Sequence, residues 1–291
     1  MPHETLKIDI MKPIILALLT FSFISLTSFS IDYREKPTVE QVQSTMNDYG
    51  KIVWYNLVTP NIEESKQFYG SIFDWSFQDI NLKGQKFVII KYKSVPIGSM
   101  LELPKADASI WLASVSVGSV KDITKRYIDN GGRLLIDSFN VSGTGQQVIL
   151  EGPLGEKMAY INNPASPISL IDNGPNQWIW AELWSTNADT SKAFYEKVWN
   201  IETKASKVKD KPYWYFEKES DKVAGMITNP VEGANTQWVP YINIADIANL
   251  NTKLEALNAN IMLEPQSTDY GSIIIFQDPH GATLCAQNYS N

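Results

Sequence analysis

The chain has 291 residues, a net charge of −7, and an ordinary globular balance of 44% hydrophobic and 20% charged residues. That length holds one large or two ordinary domains. The acidic balance, with no basic block after residue 50, argues against nucleic acid or an anionic membrane as the partner. Cys285 is the only cysteine, so no internal disulfide is available and the core has to supply the stability.

The first 30 residues read as a leader. Met11-Lys12 precedes an apolar run from Ile14 to Leu26, and Ser28-Phe29-Ser30 places small residues at the −3 and −1 positions of a cleavage site. A charged entry, a short apolar core and a small-residue exit describe a secretory signal peptide ending near Ser30. The run falls short of the ~20 apolar residues of a spanning helix. Cleavage is therefore expected, leaving a periplasmic or secreted protein without stable membrane contact. Residues 31–50 are polar and patternless, and read as a linker.

Ile52 to Thr59 alternates: Ile52, Trp54, Asn56 and Val58 point one way, and Val53, Tyr55 and Leu57 the other. Asn61 is placed to cap a helix, with Glu64 as its capping-box partner and Phe68, Ile72 and Phe73 as the buried stripe. Strand signals follow near Trp75–Ile80, at Phe87–Tyr92 and at Ile97–Leu103. A second strand-helix-strand-strand-strand unit begins at Ile110. Its helix runs from about Val120 to Asn130 and stops at Gly131-Gly132, where a left-handed residue is needed. Leu134–Ile136, Gln147–Leu150 and Lys157–Ile161 are its strands, and the proline-punctuated stretch 163–177 reads as a connection.

The whole pattern then recurs. Trp54, Leu57, Ser65, Lys66, Phe68 and Tyr69 return as Trp180, Leu183, Ser191, Lys192, Phe194 and Tyr195, each at an offset of 126 (191 − 65, 180 − 54). Trp111 returns as Trp238, and Gly152-Pro-Leu-Gly155 as Asp278-Pro-His-Gly281. A fixed offset over matched elements means duplication. The expected organisation is an α+β chain of two tandem domains, 51–162 and 178–291, each a pair of βαβββ modules.

Three motifs in this order resemble the vicinal oxygen chelate superfamily, which includes glyoxalases, bleomycin-resistance proteins and extradiol dioxygenases. They are Trp-x-Glu-Leu leading to a helix that ends in Phe-Tyr (180–195, and 54–69 with Asn56 for Glu), an apolar strand followed by a helix (111–132 and 238–260), and Asp-Pro-x-Gly at Asp278–Gly281. The resemblance spans nearly all of residues 51–288. It implies curled sheets around clefts, and in the enzymes a divalent metal held by inward-facing side chains.

The positions that the resemblance assigns to metal ligands are Trp54 and Trp180 on the first strands, the neighbourhood of Leu112 and Val239 on the middle strands, and Ala159 and Cys285 near the ends. Trp, Leu, Val and Ala cannot coordinate a divalent ion. Of two histidines, His3 lies in the leader and His280 in a turn. Both clefts are therefore expected to be free of metal and cofactor; a cluster of Glu182, Cys285 and Glu102 is the weaker alternative.

Strand parity instead predicts an aromatic wall in the second domain, with Trp178, Trp180 and Trp184 flanking Glu182. Tyr241 lies on the same face, and its counterpart in the first domain is Ser114. Such a face suits a small, partly apolar molecule. The expected ligand-binding residues are Trp54, Asn56, Trp180, Trp184, Tyr241 and Cys285. Glu182 is a candidate general acid or base if desolvation raises its pKa; a salt bridge to Lys or Arg would make it structural. Two other readings stay open: a metal-dependent lyase or dioxygenase-type enzyme of the same superfamily, and an interaction module with filled clefts. A homodimer is also left open.

Overall fold

The computed structural model describes residues 49–82, 85–141, 145–162, 174–208 and 210–289. The expected leader, the linker up to residue 48 and positions 163–173 of the connection lie outside them. The first half runs β1 (Ile52–Thr59), α1 (Ile62–Ile72), β2 (Trp75–Leu82), β3 (Gln85–Tyr92) and β4 (Val95–Glu102), then β5 (Ile110–Ser116), α2 (Val120–Asp129), β6 (Arg133–Val141), β7 (Gly145–Glu151) and β8 (Lys157–Asn162). The second half repeats it: β9 (Trp178–Ser185), α3 (Ala188–Trp199), β10 (Glu202–Val208), β11 (Lys211–Lys218) and β12 (Asp221–Thr228), then β13 (Gln237–Asn243), α4 (Ile247–Ala256), β14 (Asn260–Thr268), β15 (Gly271–Gln277) and β16 (Thr283–Asn288).

Each half forms one eight-stranded mixed sheet. The orders are β2-β3-β4-β1-β5-β8-β7-β6 and β10-β11-β12-β9-β13-β16-β15-β14. The first strands of the two modules pair antiparallel at the centre, β1 with β5 and β9 with β13, and each is flanked by its module's last strand in parallel. Each of the four helices among the described residues starts at a side-chain cap that accepts a backbone N–H three residues on: Asn61, Ser119, Asn187 and Asp246. Glu64 does not close the expected box onto the Asn61 backbone. Its carboxylate takes the Asn61 side-chain amide at 3.2 Å, while the Asn61 N–H goes to Thr59 Oγ1. Gly131, at φ +93°, is the left-handed residue that ends α2.

The two sheets meet through the faces that carry the helices, and one core runs through both halves. Trp178 sits at its middle. Its ring lies 4.4 Å from Tyr55 and 5.0 Å from Trp111, and its N–H donates to the Ile97 carbonyl at 2.8 Å. Tyr55 returns the exchange by donating to the Trp180 carbonyl at 2.9 Å.

Two related polar locks cross the same boundary. Trp111 Nε1 donates to the Tyr69 hydroxyl at 2.8 Å, and that hydroxyl donates to Asp278 of the other half at 3.3 Å. In the mirror arrangement Trp238 Nε1 donates to the Tyr195 hydroxyl at 2.9 Å, within reach of the Glu156 carboxyl. Gly152 holds the chain position equivalent to Asp278 and carries no acid. A Cβ there would overlap Glu156 Oε1, so the carboxylate arriving from four residues later fills the gap left by the missing side chain. The Phe-Tyr, Trp and Asp-Pro-x-Gly repeats are thus tied together by hydrogen bonds between buried groups, which are costly to leave unmade.

Candidate functional site

The faces turned away from the helices carry separate apolar clusters. In the first half Val58, Leu112, Ile149 and Ala159 group together, and in the second Trp184, Val239, Ile275 and Cys285. Strand register lines up the residues above them. Trp54 pairs with Ser114, and Ser114 with Ala159. Trp180 pairs with Tyr241, and Tyr241 with Cys285. The middle member of each row is therefore Ser114 or Tyr241. Leu112 and Val239 sit one level away, opposite Asn56 and Glu182.

Trp178 does not join this wall. The register skips Ile179: Tyr241 faces Trp180, but the next residue, Ile242, faces Trp178. This bulge adds one residue to β9 and reverses the parity before it, so Trp178 turns into the core between the halves. The same irregularity lies between Ile52 and Trp54, and Ile52 likewise joins the core. Trp180, Glu182 and Trp184, which follow the bulge, do share one face.

In the first half the polar groups on this face satisfy one another. Trp54 Nε1 donates to Ser99 Oγ at 3.2 Å, Ser99 Oγ donates to Asn56 Oδ1 at 2.5 Å, and Asn56 Nδ2 donates to Ser114 Oγ at 2.7 Å. All four residues are buried. The relay leaves Trp54 and Asn56 well partnered without any ligand.

The second half is built differently. Glu182 Oε2 accepts from Tyr241 Oη at 2.8 Å and from Trp184 Nε1 at 3.0 Å. Tyr213 lies within reach of the carboxyl as a further donor, and its hydroxyl accepts from Trp180 Nε1 at 3.1 Å. Among the described residues no Lys, Arg or His pairs with the carboxyl, so the salt-bridge alternative is not realised. Burial raises the Glu182 pKa against the opposing pull of its three donors. Burial also raises the Tyr213, Tyr241 and Cys285 pKa values well above their ordinary levels, and the Glu182 charge adds to each shift. Trp184 and Cys285 are fully enclosed, while Trp180 and Tyr241 are half-buried. Glu182 itself is buried. Tyr215 packs edge-on to Trp180, with Lys222 Nζ 3.8 Å above its ring and the Tyr270 hydroxyl 3.4 Å from its own.

Tyr213 lies outside the expected set, although the aromatic alternation Tyr213-Trp-Tyr215 on a strand pairing with β12 is a usable signal. Gly225 lies outside it too. It pairs with Glu182 across β12 and β9, and any Cβ there would overlap the Tyr213 hydroxyl and lie 2.8 Å from Trp180 Nε1. Gly225→Ala is expected to push Tyr213 off the carboxyl and cost about 1–3 kcal/mol by overpacking. A shift of the urea midpoint at constant slope checks this, and an unchanged midpoint refutes it.

The donors on this face do not fit a divalent ion. Each row offers an indole, then a hydroxyl, then a methyl or a thiol that burial keeps protonated. Glu102 accepts from the N–H of Ile62 and pairs with Lys86, and forms no metal-holding group with Glu182 and Cys285. Among the described residues no three of His, Cys, Asp and Glu are grouped to hold a metal.

Residues 179–286 match the model of the glyoxalase/bleomycin resistance protein/dioxygenase superfamily. The first half, outside that match, repeats the same order of elements and the same sheet topology. The chain is 22% identical over 241 residues to "Putative glyoxylase CFP32" of Mycobacterium tuberculosis, covering 79% of this chain and 91% of the relative. It is also 22% identical over 251 residues to "Anthracycline biosynthesis protein DauV" of a Streptomyces species, covering 80% and 91%. Among solved structures it is similar to the Mn(II)-bound glyoxalase of Novosphingobium aromaticivorans, with a TM-score of 0.56 and 13% identity over 84% of this chain and 83% of that one. It is likewise similar to the 2,3-dioxygenase LapB of Pseudomonas, with a TM-score of 0.55 and 13% identity over 82% and 93%. At this identity the likeness to solved structures establishes the fold.

Proposed function

We propose that this protein binds a small, partly apolar molecule in the cleft of its second domain without a metal. The observation that carries this reading is the Trp180–Tyr241–Cys285 row beside a buried Glu182 that has neutral donors and no cation. An aromatic face with a few convergent polar groups is the usual build of a small-molecule site. The first domain, whose Trp54–Ser99–Asn56–Ser114 relay is complete in itself, serves as the partner that supports it. A relative named for anthracycline biosynthesis is compatible with a bulky organic ligand.

Metal analysis of protein purified from its natural host tests the proposal. Zinc, iron, nickel and manganese are all expected below stoichiometry. One equivalent of any of them, retained through dialysis and removed only by a chelator, would replace this reading with the metal-dependent lyase or dioxygenase alternative. We also place the mature protein outside the cytoplasm, on the strength of the leader. Mass spectrometry of the mature N-terminus is expected to find it just after Ser30, and an intact Met1 would argue against export.

A further inference from the structure

Resting on the reading that the second domain binds a small molecule against Trp180 and Tyr241, we propose that Tyr215 and Tyr270 form a cover over Trp180 that parts to admit the ligand and closes over it.

The two tyrosines come from opposite ends of one sheet. Tyr215 stands on β11, beside the β10 edge, and Tyr270 on the turn between β14 and β15 at the other edge. Four strands, β12, β9, β13 and β16, lie between β11 and β15, yet the two hydroxyls are 3.4 Å apart. The contact is therefore made over a face of the sheet and not along it. Strand parity identifies the face. Gln287 is two residues from Cys285 on an unbroken register and points the same way. Its amide donates to the Tyr270 carbonyl at 2.7 Å, which holds Tyr270 above the Trp180–Tyr241–Cys285 row. From the other side Tyr215 packs edge-on to Trp180, with ring centroids 6.3 Å apart.

One half of the cover is braced and the other can swing. Lys222 Nζ lies 3.8 Å from the centre of the Tyr215 ring and holds that ring from outside. The Tyr270 backbone is fixed by Gln287 and by Thr268 Oγ1, which takes its N–H at 3.2 Å. Its side chain is 49% exposed, and the hydroxyl contact is longer than an ordinary O–H···O bond, so water readily replaces it. Parting the pair asks only for a rotamer change of an exposed side chain. The first half does not repeat the device. Ile89 stands at the position equivalent to Tyr215 and Pro96 at that of Lys222 (215 − 126, 222 − 126), so neither the hydroxyl nor the cation has a counterpart there.

The test reads Trp180 directly. Seven of the nine tryptophans are buried, which leaves Trp180 and Trp214 as the indoles a quencher can reach. In a Trp214→Phe background of the full mature chain, acrylamide quenching therefore reports Trp180. Adding Tyr270→Ala, at an exposed turn where the fold is not at risk, is expected to raise the quenching constant severalfold. Calorimetry with 2-naphthol, a flat and partly apolar probe, is expected to show severalfold weaker binding to the Tyr270→Ala chain than to wild type. Unchanged quenching would overturn the cover. Increased quenching with unchanged 2-naphthol affinity would show that the pair shields Trp180 but does not hold a ligand, and would overturn the proposal while leaving a binding face. Increased quenching with no 2-naphthol binding to either chain would overturn the small-molecule reading, and the proposed role of the pair with it.

Discussion

Trp178→Ala is expected to cost about 3–5 kcal/mol of stability, the usual range for emptying a buried indole site. The ring is fully enclosed and touches Tyr55, Trp75 and Trp111, all of the other half. Its removal also leaves the Ile97 carbonyl without a donor. Because one core serves both halves, wild-type unfolding should be a single transition; the variant should move the midpoint in urea and loosen the junction first. A loss below about 1 kcal/mol would mean that the junction repacks around the gap, and that the halves are stable mainly on their own.

The second large effect depends on pH. Glu156 is 1% exposed, its Oε1 makes no well-formed hydrogen bond, and burial pushes its pKa from 4.5 up to about 7. A raised carboxyl pKa means that the folded state holds the proton more tightly than the unfolded one. Its contribution is therefore fully present below pH 4.5 and is lost as the pH rises toward about 7. The loss is on the order of 3 kcal/mol for a shift of this size. Buried Asp278 and Glu182 are shifted in the same direction and add to the slope. Comparing Glu156→Gln with wild type across this range isolates the one group: the variant should be flatter by that amount. Parallel curves for the two proteins would show that Glu156 titrates normally.

Much of the architecture is legible in the residues because it is periodic or repeated. The offset of 126 carries caps, helical stripes and strand alternation together, so Asn61 and Asn187, or Phe68 and Phe194, identify each other. The faces of β9 are legible from Trp180 onward for the same reason. Trp178 is misplaced by alternation because a bulge adds a residue without leaving a composition signal. The chemistry around Glu182 is legible only in part. Trp184 lies two positions away on the same strand, but Tyr241 is 59 residues distant and Tyr213 comes from a third strand. Which donors meet a buried carboxyl depends on how strands are ordered in the sheet, and one-dimensional pattern does not encode that order. The displacement of the acid from the Asp278 position to Glu156 in the other copy is hidden for the same reason.

In each lock the acid and the tyrosine it reaches belong to opposite copies, Asp278 with Tyr69 and Glu156 with Tyr195, so each half completes a buried polar site of the other. Cutting the chain between residues 162 and 178 should therefore yield fragments that are insoluble singly and recover only when mixed, each acting as the template on which the other sets.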